Sequence, residues 1–157
     1  MTATIYWEDL PPGKVIDLGT RVVPREEILE FGRRYDPQPF HTDEEAARQS
    51  IYGGLIASGW HTCAIMMRML YDGLLRHSAS MGSPGMDNLR WLKPVRPGDT
   101  LRGRMTILES RPLNSKPDIG MIKARWEVFN QHDELVMTVE GMGMYRRRQP
   151  GAAAAAQ

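Results

Sequence analysis

Between Tyr35 and Asp43 the chain reads Tyr-Asp-Pro-Gln-Pro-Phe-His-Thr-Asp, a proline-stiffened turn that carries one carboxylate, Asp36, and one imidazole, His41. By reference pKa values of about 6.5 against 3.9, His41 is the stronger intrinsic base of the two. Pro37 and Pro39 fix φ and push Asp36 and Gln38 toward extended backbone, so both polar side chains can be aimed at one small volume. The competing structural role is a turn cap for Asp36 and packing under Phe40 for His41. Two prolines and two flanking aromatics, Tyr35 and Phe40, favour a site. A second cluster follows in Tyr52-Gly53-Gly54-Leu55-Ile56-Ala57-Ser58-Gly59-Trp60-His61. Glycines this dense let the chain turn sharply and let a ligand approach the backbone.

These two segments need elements to position them. A helix is predicted after Pro24, with Ile28, Phe31 and Tyr35 at helical spacing and Glu26 and Glu27 at its positive end; it runs straight into the Asp36 turn. Thr42 and Glu45 have the form of a capping box for a short helix through Arg48, which places His41 just before that helix. From Ile56 through Cys63, Met66, Met67, Leu70 and Leu74 a longer helix is expected, with Ala57, Ala64, Ile65 and Met69 on its other faces. That is more apolar surface than one face needs, which implies a helix surrounded by other structure. After the Ser/Gly-rich turn at 77–85 the period changes. Strands are expected over Lys14 to Val23, Met86 to Leu92, Leu101 to Ile107, Ile122 to Val128 and Leu135 to Tyr145, with Asn130 to Glu134 as the last connection. Consecutive strands with short links argue for an antiparallel sheet packed on the long helix, an α+β fold.

Composition narrows the function classes. A chain of 157 residues reads as one domain, over 1–148, able to bury roughly 68% of the surface of its unfolded form, with an alanine-rich disordered tail over 149–157. Twenty basic and 19 acidic residues balance to +1, which gives no reason to expect nucleic acid or an anionic membrane; the run Arg146 to Arg148 reads as a solubilising end. One cysteine, Cys63, excludes an intramolecular disulfide framework and reads as a core residue. The opening residues lack a signal-peptide pattern and no apolar stretch is long enough to span a bilayer, so a cytoplasmic location is expected. The glycines match neither dinucleotide nor P-loop fingerprints. His41, His61, His77 and His132 have no compact metal spacing, and the methionines Met66, Met67 and Met69 read as core filling.

Asp36-Pro37-Gln38-Pro39-Phe40-His41-Thr42-Asp43, then Gly53 to Gly59, then Trp91-Leu92-Lys93-Pro94-Val95-Arg96-Pro97-Gly98-Asp99, resemble the MaoC-like family of (R)-specific enoyl-CoA hydratases and acyl dehydratases over about residues 8–146. The resemblance implies the hot dog fold, a long central helix wrapped by a curved antiparallel sheet, and a homodimer. It also implies reversible hydration of a trans-2-enoyl thioester, with no cofactor and with CoA, or an acyl carrier, as part of the substrate. Asp36 and His41 take the places of the family's catalytic pair, and Gly59 that of the amide facing the thioester oxygen. Gln38, Phe40, Ser58, Trp60, Lys93 and Arg96 fall at substrate-contact positions, while Arg102 and Arg104 are further candidates for CoA phosphates. Three positions depart from the family's usual residues: Gln38 for Asn, Ser58 for His and Met67 for Ser. These leave the acyl group open, and a branched or dicarboxylic one fits as well as a plain fatty chain. Thioester hydrolysis and non-catalytic acyl-thioester binding on the same scaffold stay open as alternatives.

Overall fold

The computed structural model describes residues 2–151. Five strands, β1 (Val15–Val22), β2 (Met86–Trp91), β3 (Thr100–Pro112), β4 (Ile119–Phe129) and β5 (Leu135–Arg146), form one sheet in the order β1-β3-β4-β5-β2, antiparallel at every pairing. The alternation read in the sequence sets which face is inside. Leu101, Met105 and Ile107 of β3 and Ala124, Trp126 and Val128 of β4 are buried, while Arg104 and Arg125 on the outer face pair across strands with Glu127 and Glu140.

Four helices precede β2: α1 (Arg25–Tyr35), α2 (Pro39–Thr42), α3 (Glu44–Gln49) and α4 (Gly59–Gly73). Helix α4 is the expected long helix, 15 residues, and it lays Ile65, Met66, Met69 and Leu70 into the core against the sheet. It begins at Gly59, so Ile56 is buried in the approach and not in the helix. One face of α4 is open, with Trp60, Met67 and Tyr71 exposed; Trp60 meets Trp91 of β2, and Met86, Trp91 and Leu92 along that edge are exposed too. The helix is thus covered on one side and not surrounded within a single chain.

The cap of the short helix also differs from expectation. Pro39 supplies a helical φ at the first position of a four-residue turn, α2, and this draws His41 and Thr42 into helix. Thr42 Oγ1 donates back to the Gln38 carbonyl. The next extended residue, Asp43, caps α3 instead, its Oδ1 accepting from the N–H groups of Glu45 and Ala46 at 2.9 and 3.1 Å.

A 3-10 turn at Trp7–Asp9 binds the other end of the described chain. Glu8 accepts from the N–H of Arg148, Asp9 pairs with the Arg148 guanidinium, and Arg147 lies 5.1 Å over the Trp7 ring. The expected alanine-rich tail falls, from residue 152 on, outside the described residues. Among the described residues no helix is long and apolar enough to cross a membrane.

Candidate active site

Helix α1 delivers Asp36 as its C-cap, where the N–H of Asp36 still donates to the Gly32 carbonyl and the side chain leaves the helix axis. The glycine one turn earlier has a packing reason. A Cβ on Gly32 would lie 2.8 Å from the His41 carbonyl oxygen and 3.0 Å from the His41 Cβ, so α1 rests directly on the His41 backbone.

His41 is 4% exposed. Its Nδ1 donates to the Ile56 carbonyl at 2.8 Å, and the Ile56 N–H donates in turn to the Phe40 carbonyl, so the imidazole is clamped to the segment leading into α4. A carbonyl only accepts, which fixes the proton on Nδ1 and leaves Nε2 as the nitrogen free for chemistry. That Nε2 lies 3.2 Å from Asp36 Oδ2. The Phe40 ring stands edge-on against the imidazole, with centroids 4.6 Å apart.

The Asp36 carboxylate is gripped on both oxygens. Ser58 Oγ donates to Oδ2 at 2.7 Å and Gln38 Nε2 donates to Oδ1 at 2.8 Å. Burial works against its ionisation, but the Ser58 and Gln38 donors outweigh it and hold the carboxyl below the usual carboxylate range, and a proton taken up by His41 adds to that effect. Two of the three departures noted in the sequence therefore converge on Asp36. Ser58 occupies the N-cap position of α4 but makes no cap bond; its hydroxyl is spent on the carboxylate. Met67, the third, sits on the open face of α4.

Gly59 opens α4, so its N–H has no acceptor one turn back in the helix and carries the positive end of the helix dipole. It lines a pocket of about 440 Å³ together with Gln38, Phe40, His41, Thr62, Trp91 and Val136. The missing side chain at Gly59 makes room for Trp91. A Cβ there would lie 2.6 Å from Trp91 Cδ2 and 2.8 Å from Cζ2.

Of the remaining sequence candidates, Lys93 lines the same pocket but its ammonium pairs with Glu134. Trp60 is 59% exposed and stands edge-on to Trp91. Arg96 donates to the Tyr52 carbonyl and braces the glycine-rich loop. Arg102 and Arg104 lie over Phe129 on the outer face of the sheet and pair with Asp133 and Glu127. Two residues escaped the sequence reading. The role of Trp91 depends on a contact across the fold that spacing does not encode. His61, on α4, is 2% exposed, stacks on Phe31 and has neither ring nitrogen within hydrogen-bonding distance of a partner, its Nε2 lying 3.8 Å from Glu27 Oε1. It floors a separate cleft of about 260 Å³ between α1 and α4, and burial pushes its imidazole pKa down. Among the described residues no His, Cys, Asp and Glu side chains gather in threes as a metal cluster.

A family model described as "MaoC like domain" matches residues 9–123. The chain belongs to the MaoC-like family. A crystal structure of the MaoC-like dehydratase from Rhodospirillum rubrum is 40% identical and superposes with a TM-score of 0.85, over 92% of this chain and 99% of that one. An uncharacterized Bacillus subtilis protein, YdeM, is 27% identical over 128 residues, which span 82% of this chain and 89% of YdeM. The mesaconyl-CoA hydratase of Cereibacter sphaeroides is 40% identical over 67 residues, 43% of this chain but 19% of that much longer protein. The architecture is accordingly the hot dog fold, with α4 as the central helix of this MaoC-like domain.

Proposed function

We propose that this MaoC-like domain adds water reversibly to a trans-2-enoyl thioester, with Asp36 and His41 activating the water and the Gly59 N–H receiving the thioester oxygen. The observation that carries this reading is the clamped pair itself. Nε2 of His41 is free to accept a proton, faces an ionised Asp36 at 3.2 Å, and belongs to a side chain that lines a pocket beside an unpaired helix N-terminus.

In the hydration direction His41 Nε2 takes a proton from water while the water oxygen bonds to C3. The π electrons of the enoyl group move toward the thioester oxygen as an enolate, where the Gly59 N–H and the α4 dipole oppose the growing charge. A proton then returns from the pair to C2. Asp36, held ionised by Ser58 and Gln38, stabilises the imidazolium formed in the first step. One donor of this kind is worth about 10²–10³ in kcat, and an acid–base group about 10²–10⁴.

The carrier is read as CoA, on the similarity to a CoA-ester hydratase, and that relative's substrate makes a branched dicarboxylic acyl group a natural first candidate. The working form is read as a cytoplasmic homodimer. Trp60, Met67 and Tyr71 are exposed on one face of α4, Trp60 meets Trp91 of the exposed edge strand β2, and a second copy would bury this surface.

A mass-resolved screen of enoyl-CoA esters tests the reaction. Gain of water is expected, falling by about 10²–10⁴ in Asp36→Asn and His41→Ala. A wild-type rate untouched by both substitutions would overturn the site. Release of free CoA thiol would replace hydration by thioester hydrolysis, and binding without any product would leave a non-catalytic acyl-thioester receptor.

A further inference from the structure

Trp91 closes strand β2, pairing with Met137 of β5, yet its indole reaches across to the first residue of α4. The ring atoms Cδ2 and Cζ2 occupy the space that a side chain on Gly59 would need. Trp60 holds the indole from a second side, edge-on with centroids 5.2 Å apart at 82°. The wall of the pocket next to the Gly59 amide is therefore a fixed aromatic plate, continued by Leu92 and Val136.

This wall meets the acyl group at a defined place. A thioester oxygen on the Gly59 N–H and a water on His41 confine C1 to C3 between the two groups, so carbons beyond C3 must pass the apolar side of the pocket that Trp91 narrows. We infer that Trp91 is the residue that sets acyl-group size in this pocket, admitting short acyl groups and turning away long ones. The inference rests on the proposed acyl-thioester site, but it concerns which acyl groups fit and not what happens to them.

Removing the indole opens the pocket beside the amide without touching Asp36 or His41. In an apolar pocket each methylene gained or refused is worth about 10- to 200-fold in discrimination. Calorimetric binding of two unreactive esters, butyryl-CoA and octanoyl-CoA, gives a readout that needs no turnover; crotonyl-CoA and trans-2-octenoyl-CoA give the matching kcat/KM ratio. Wild type is expected to favour the short ester in both measurements. Trp91→Ala is expected to raise the long-to-short ratio at least about tenfold, and Trp91→Phe, which keeps an aromatic plate, to raise it less.

A folded Trp91→Ala protein with the wild-type ratio overturns the inference, and so does a wild type that takes octanoyl-CoA as well as butyryl-CoA. If Trp91→Ala does not fold, an unchanged ratio in Trp91→Phe overturns it equally. Size-selective binding that relaxes in the variant while neither crotonyl-CoA nor trans-2-octenoyl-CoA is hydrated would sink the hydratase reading and leave the role of Trp91 standing. Hydration with an unmoved ratio would do the reverse, and binding of neither ester would sink both.

Discussion

Replacing Ser58 by alanine removes one donor from a carboxylate and nothing else, because the hydroxyl is 1% exposed and its 2.7 Å bond to Asp36 Oδ2 is its sole service to the site. A hydrogen bond to a charged partner contributes about 1.5–3 kcal/mol, against about 0.5–1.5 for a neutral one. Asp36 keeps 17% of its side chain exposed, so water can partly replace the lost donor and the low end of the range applies, about 1.5 kcal/mol at neutral pH. For a chain of this size that lowers Tm by roughly 3–6 °C. In an Asp36→Asn background the same substitution should cost only about 0.5 kcal/mol, leaving a coupling near 1 kcal/mol in a double-mutant cycle of urea denaturation at pH 7. The pH dependence has a fixed sign. A carboxyl held below its unfolded value contributes stability that is present above that value and lost as pH falls through the folded one. Ser58→Ala raises the folded value toward the unfolded one, so the loss on acidification still begins at the unfolded value but is smaller and is complete at a higher pH, and a ¹³C carboxyl titration follows Asp36 directly. Equal costs in both backgrounds, or an unmoved titration, would refute the account of Asp36 as an anion held by Ser58.

Gly32→Ala should cost about 1–3 kcal/mol and reduce hydration as well, since its Cβ would meet the His41 carbonyl at 2.8 Å; melting by circular dichroism beside a rate assay checks it, and full stability with full activity contradicts it. Buried His61 resists protonation, so the unfolded chain binds more protons as pH drops below about 6.5 and stability falls toward the lower folded value. In His61→Phe that part of the slope should vanish in urea midpoints taken from pH 8 to 5, and parallel profiles for the two proteins would exclude it. Sedimentation velocity at micromolar concentration should return the mass of two chains, with Met67→Lys shifting it toward one; a wild-type monomer would rule out the dimer.

What the sequence makes legible here is local. The turn from Asp36 to His41, the alternation of β3 and β4, and the apolar excess of α4 follow from neighbours within a few residues, and the structure keeps each of them. The errors lie where two local signals compete. Thr42 and Asp43 can both cap, and only the helical turn started by Pro39 decides for Asp43. The meaning of Gln38 and Ser58 was hidden for another reason. As departures from a family pattern they say only that the acyl group is open, but the fold brings both donors onto one carboxylate, and no spacing rule encodes that convergence. His61 was beyond reach too, since its burial against Phe31 depends on the packing of α1 on α4.

The order of strands bears on how the protein reaches its folded state. Phe129 pairs with Leu135 across a short turn, whereas Met86 must find Gly141 and Val15 must find Thr106. On loop-closure entropy alone the β3–β4–β5 meander forms early and the two outer strands dock late. Strand β2 carries Trp91, so the pocket gains its aromatic wall only in the last stage of assembly. Until then the N-terminus of α4 and the edge of β5 stand open together, and the interval before β2 docks is when the chain is most exposed to pairing with the wrong neighbour.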